Sequence, residues 1–182
     1  MNIDFEKSLV AFTDGSSLGN PGPGGWGAAL VAKRLDEVVE LGGSSPKTTN
    51  NEMELSAIVG VLSYAVNNTD PLHIFTDSQY AINGITNWIH EWIKNGWKTK
   101  NGDPVKNAFH FKTMYELIQE RGSQNVHFHH VRGHVGVPGN ERVDDIARWF
   151  AEGQDVPLFR GKLSEYEVKN ILDFNMDAAE KT

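Results

Sequence analysis

Two periods of apolar residues alternate along this chain, and the switches between them outline its elements. Leu9–Phe12 and Leu72–Phe75 are short apolar runs of the kind found in buried strands, and each leads directly into Thr-Asp, at Thr13-Asp14 and Thr76-Asp77. Trp26–Ala32 and Glu37–Leu41 also read as strands, parted by a turn near Leu35-Asp36, so the first three strands should pair as an antiparallel meander. The period then changes: Leu55, Ile58, Val61, Leu62 and Ala65 recur at helical spacing, which predicts a helix over about 51–67 capped by Asn50 or Asn51. Short helices are predicted across 78–94, a helix over 108–120 and a strand over 125–131. A last helix should start after a cap at Asn140, with Val143, Ile146, Ala147 and Phe150 on its buried face.

Gln154-Asp155-Val156-Pro157 interrupts the pattern. Beyond it, Ser164 and Glu167 stand as a capping box and Leu163 and Val168 as a hydrophobic staple, predicting a short helix from about 165. Its apolar face would be Val168, Ile171 and Leu172, and so short a helix needs to dock to be stable. The chain therefore divides into a body, 1–151, and a C-terminal extension, 152–182, of α/β class with an antiparallel start.

If the two Thr-Asp strands are parallel neighbours, Asp14 and Asp77 emerge at the same end of the sheet, where open α/β sheets bind ligands. An aspartate after a strand is also a common helix cap, so neither alone is diagnostic. Glu54 falls in the first turn of the predicted helix, and Asp144 lies near the start of the last one, one step off its buried face. Carboxylates gathered this way repel unless cations join them, and hard oxygen ligands without thiols favour magnesium or manganese over zinc.

The ordered set of motifs resembles ribonuclease H of type 1, in its bacterial form. The matching pieces are Phe12-Thr13-Asp14-Gly15-Ser16, Gly19 to Gly25, Thr49 to Leu55, Thr76 to Tyr80, Gly96 to Thr99, Pro104 to Asn107 and Gly139 to Arg142, spread over residues 8–151. The resemblance implies a ribonuclease H-like fold, a five-stranded mixed sheet flanked by helices. It also implies an endoribonuclease that hydrolyses the RNA strand of RNA·DNA hybrids by a two-metal-ion mechanism, leaving 3'-hydroxyl and 5'-phosphate ends. Asp14 would bridge two magnesium ions, with manganese as a substitute, and Glu54, Asp77 and Asp144 would complete their shells. Glu54 would also face the RNA 2'-hydroxyl. His134, in a glycine-bracketed loop, matches the family's mobile histidine, which assists proton transfer or product release.

Reading a hybrid requires groups that sense shape and sugar. By resemblance, Asn20, Asn50 and Gln79 contact the hybrid, Gly15, Ser16 and Ser17 allow close backbone approach, and Lys47, Thr49 and Asn107 hold a DNA phosphate. Lys47 stands where an arginine is common, a point charge in place of a bidentate clamp. Trp88, Lys94, Trp97 and Lys98 lie in a stretch resembling the family's basic handle, thinly charged here and partly offset by Glu91. Tryptophans at 88, 92 and 97 are expected to pack more than to stack on bases. His127 and His129 share a strand face, but no further ligand spacing supports zinc, so sheet packing is the expectation.

The net charge of -7 at first opposes a polyanion partner. Residues 1–151 hold 17 acidic and 13 basic side chains, however, and setting aside the four candidate ligands leaves the two signs equal. There is no cysteine, the start Met-Asn-Ile-Asp-Phe-Glu-Lys lacks signal-peptide character, and no apolar run is long enough to span a bilayer. A monomeric cytoplasmic protein, away from membranes, is expected. A hybrid-binding module without activity would usually have lost one of the carboxylates, and an integrase or junction resolvase would lack the Asn50-Asn51 and handle segments.

Overall fold

The computed structural model describes residues 3–131 and 136–174. A six-stranded mixed sheet runs through it in the order β5-β4-β1-β2-β3-β6. Strands β1 (Leu9–Ser17), β2 (Gly22–Ala32) and β3 (Glu37–Thr48) form the expected meander. Helix α1 (Asn50–Ala65) then crosses over to β4 (Leu72–Thr76), which lies parallel to β1. A helical segment follows in three pieces, α2 (Gln79–Asn83), a π turn (Gly84–Trp88) and α3 (Ile89–Lys94). Helix α4 (Ala108–Arg121), strand β5 (Val126–His130) and helix α5 (Pro138–Ala151) complete the body.

Two cores form because strand side chains alternate between faces. Leu9 and Ala11 point with Ile58, Leu62, Ile74, Phe111 and Met114 into the core beneath α1 and α4, whereas Val10 and Phe12 face Phe75, Val143 and Tyr166 beneath α5 and the chain end. Arg121 ties the first layer together: its buried guanidinium donates to the carbonyls of Ala65, Asn68 and Asp70 at the end of α1.

The structure corrects several expectations. The sheet has six strands, because Arg160–Lys162 of the extension forms β6, antiparallel to Glu37–Val39. Strand β1 runs past Asp14 to Ser17, held by antiparallel pairing with Gly24–Gly27, although its parallel pairing with β4 stops at Thr13–Thr76. Thr49, not Asn50 or Asn51, caps α1 in a capping box with Glu52, whose carboxylate accepts the Thr49 amide at 2.9 Å. Glu54 therefore sits one turn into the helix. Helix α5 starts at Pro138, whose fixed φ suits a first helical position, so Asn140 lies inside the first turn, 1% exposed, and its side-chain amide makes no hydrogen bond to any described residue.

No α-helix begins near 165. Leu163–Glu165 makes one 3-10 turn and Tyr166 is extended, because Asp36 recruits both the Ser164 amide and its hydroxyl at 3.0 Å, removing the cap. The predicted apolar residues dock all the same, with Ile171 buried and Val168 and Leu172 packed against the second core. Among the described residues, no helix is long and apolar enough to cross a membrane.

Candidate metal and nucleic-acid site

Asp14 and Asp77 each follow the last rung shared by the two central parallel strands, the Thr13–Thr76 pair. Close packing brings the other two carboxylates to this end of the sheet. A side chain at Gly15 would collide with the backbone of Met53 and Glu54, so glycine there lets α1 lie directly on β1. Across the sheet, a side chain at Gly27 would meet the Val143 carbonyl at 2.6 Å, so α5 also approaches closely and sets Asp144 beside β1.

Asp14 is 6% exposed, and its carboxylate accepts the Gly15 amide at 2.6 Å. Burial and then the charge of Asp77 push its pKa up to about 8, against the Gly15 bond, with Asp144 and Glu54 adding to the rise. Glu54 is raised chiefly by burial, with Asp77 contributing, while bonds from Ser78 and Asn50 oppose the shift. Asp144 lies 3.8 Å from Arg148.

The four acids are thus electrostatic neighbours carrying more negative charge than the site tolerates alone. Among the described residues no three of them close around a single point. Both Glu54 oxygens are engaged, one by the Ser78 hydroxyl and one by the Asn50 amide at 2.8 Å. An all-oxygen donor set with mutual repulsion and a suppressed ionisation suits a hard divalent cation.

Beside the acids, a cleft of about 660 Å³ brings together Asn20, Thr49, Asn50 and Asn107, four of the residues expected to contact substrate. Asn107, at φ 56°, donates to the Tyr80 hydroxyl at 3.2 Å. Gln79 is exposed in the first turn of α2, right after the acidic corner. Ser16 is half-buried, and the Ser17 hydroxyl donates to the Gly19 carbonyl. The close approach that Gly15 permits is to α1. Lys47 is exposed near the end of β3 and does not line this cleft.

In the handle, Trp92 packs on Phe111 at 4.9 Å and Trp97 carries Lys112 over its ring at 5.0 Å, as packing predicts. Trp88 is 41% exposed and, with Trp92, Lys98 and Lys100, walls a recess of about 330 Å³. Lys94 is exposed on the same segment.

His134 lies outside the described residues. His127 and His129 pack in the sheet, His127 stacked on His73 at 4.8 Å and His129 bonded to His73 at 2.9 Å. Sequence reasoning missed Ser78, Tyr80 and Lys106. The signal was the Thr76-Asp77-Ser78-Gln79-Tyr80 motif itself, whose serine both caps α2 and orients Glu54. A larger recess of about 750 Å³, walled by Trp149, Phe159 and Arg160, contains none of the four acids.

A mixed α/β sheet with acidic groups collected where two parallel strands end defines the ribonuclease H-like class of folds. The RNase H family model matches residues 6–152, and the chain belongs to that family. It is 47% identical to the ribonuclease H of Acidovorax sp. over 141 residues, covering 78% of this chain and 93% of the relative. It is 44% identical to that of Brucella anthropi over 158 residues, covering 87% and 97%. Among solved structures, LC9-RNase H1, a type 1 RNase H with the type 2 active-site motif, superposes with a TM-score of 0.70 at 29% identity over 91% of this chain and 82% of that one. LC11-RNase H1, solved in complex with an RNA/DNA hybrid, shares the fold at a TM-score of 0.59 and 21% identity over 80% of this chain and 97% of that one.

Proposed function

We propose that Asp14, Glu54, Asp77 and Asp144 hold two magnesium ions and form the centre at which this member of the RNase H family cuts RNA. Family membership makes the chain an endoribonuclease for the RNA strand of RNA·DNA hybrids, in a family that depends on divalent metal. The carrying observation is Asp14: a carboxyl group whose pKa is pushed up to about 8 by burial first and then by three acidic neighbours, a state that bound cations would relieve.

Two bound ions would neutralise the reacting phosphate and ready a water for in-line displacement. The protein's own groups then bind and orient. Asp14 stands centrally among the acids, Ser78 and Asn50 fix the Glu54 carboxylate, and Arg148 borders Asp144. Glu54 would meet the RNA 2'-hydroxyl, since its partner Asn50 lines the cleft that holds the substrate-facing amides. Asn107 and Thr49 would hold a DNA phosphate there, with Lys47 adding charge from outside. Trp88, Lys94, Trp97 and Lys98 would follow the duplex beyond. His134 would move a proton or speed product release, leaving 3'-hydroxyl and 5'-phosphate ends.

The same proposal includes manganese as a substitute ion, a monomeric cytoplasmic protein, and a catalytic unit at 1–151 followed by an extension at 152–182. The family match ending at residue 152 supports that boundary. The test is calorimetric titration with magnesium in the presence of an uncleavable hybrid. Two ions bound by the wild type and fewer by Asp14→Asn is the expected result, and equal binding by both would overturn the ligand assignment.

A further inference from the structure

The extension joins the elements that carry the acids at two points. The first is Glu40 on β3, 3% exposed, whose carboxylate collects four donors. Arg142 of α5 donates Nε to one oxygen at 2.7 Å and Nη2 to the other at 3.2 Å. The Tyr166 hydroxyl reaches the first oxygen at 2.5 Å, and the Phe159 amide reaches the second at 2.9 Å. Two of the four donors therefore come from the extension, and the other two come from a residue only two positions before Asp144. Glu167 adds a second carboxylate to Arg142 at 3.1 Å.

The second point is Phe174. Its ring packs edge-on against Phe12 at 5.5 Å and Phe75 at 5.1 Å, which are themselves stacked at 5.4 Å. Phe12 stands two residues before Asp14 and Phe75 two before Asp77. Side chains two apart on a strand share a face, so the ring bears on the side of β1 to which Asp14 belongs.

We propose that the 159–174 segment is a brace for the metal site, and that Tyr166 and Phe174 are positioning residues for Asp144 and for the Asp14–Asp77 pair. This rests on the reading of those acids as metal ligands. Ligand carboxylates work only within about half an ångström of their productive positions, and a helix or strand shifts as a unit when its buried anchor is lost. The extension thus acts from beneath, through Glu40–Arg142 and Phe12–Phe75, without touching substrate.

The experiment uses the full chain with Tyr166→Phe, which removes only the hydroxyl, and Phe174→Leu, which keeps an apolar group. Manganese binding to the free protein is followed by titration calorimetry, beside thermal melting and hybrid affinity in EDTA. Both variants should bind manganese more weakly, on the order of tenfold, with the magnesium activation curve displaced alike and hybrid affinity unchanged. Asp173→Asn, on the exposed side of the segment, should match the wild type. Melting temperatures that fall while manganese affinity stays at the wild-type value in both variants would overturn the brace. If Asp14→Asn and Asp144→Asn also bound manganese as the wild type does, the ligand reading itself would be what fails.

Discussion

Asp14 and Asp77 each stand one residue beyond the Thr13–Thr76 rung, the last of the parallel β1–β4 pair. The geometry loads one carboxylate against another in a buried corner, and the cost depends on pH. The folded-state pKa of Asp14, about 8, lies above its ordinary value of 3.8, so the native state holds an extra proton between those values. Stability from this group is full below pH 4 and is lost as pH rises towards 8, at up to about 1.4 kcal/mol per pH unit. In EDTA, the wild type should therefore lose stability against Asp14→Asn across that window, as measured by urea unfolding, and saturating magnesium should reduce the difference.

Activity should divide the acids from the histidine. Asp14→Asn or Asp77→Asn should slow single-turnover cleavage on the order of a thousandfold or more, with far-ultraviolet circular dichroism unchanged. His134→Ala should cost less, on the order of a hundredfold or below, and should alter the pH-rate profile. Equal loss in all three, with metal binding abolished in His134→Ala, would make the histidine a ligand.

Substrate grip should be split between cleft and handle. Asn107→Ala removes an amide that lines the cleft and braces Tyr80, and should raise KM more than it lowers kcat. Lys98→Ala should weaken hybrid binding and reduce the salt slope by about one unit.

Arg121 is the structural counterpart. Replacing it with methionine would leave the carbonyls of Ala65, Asn68 and Asp70 without its donors, at a cost of about 2–4 kcal/mol in urea unfolding. Near-normal stability would show that water replaces the guanidinium easily.

Much of the body was legible because its elements have strong periods and chemical punctuation. The apolar run Leu72–Phe75 emerges as the buried strand Leu72–Thr76, and the carboxylates stand out because Thr-Asp follows both apolar runs. What stayed hidden depends on partners far along the chain. The Ser164 capping box is a sound local signal, but Asp36, 128 residues away, takes that serine first. Nothing local marks Arg160–Lys162 as a strand, since its pairing is dictated by the open edge of β3. The Asn140 cap failed for a local reason, Pro138 being the better start. Tyr166 reads as one more tail residue until Glu40 is seen beneath it.

The most direct measurement uses an end-labelled RNA strand annealed to DNA or to RNA, beside a DNA·DNA duplex, incubated with the wild type and with Asp14→Asn in magnesium or EDTA. Internal cuts in the RNA of the RNA·DNA hybrid alone, by the wild type alone and only with magnesium, are expected of a metal-dependent centre built on Asp14. Cleavage of the hybrid that persists in EDTA, or that Asp14→Asn performs at the wild-type rate, would contradict it.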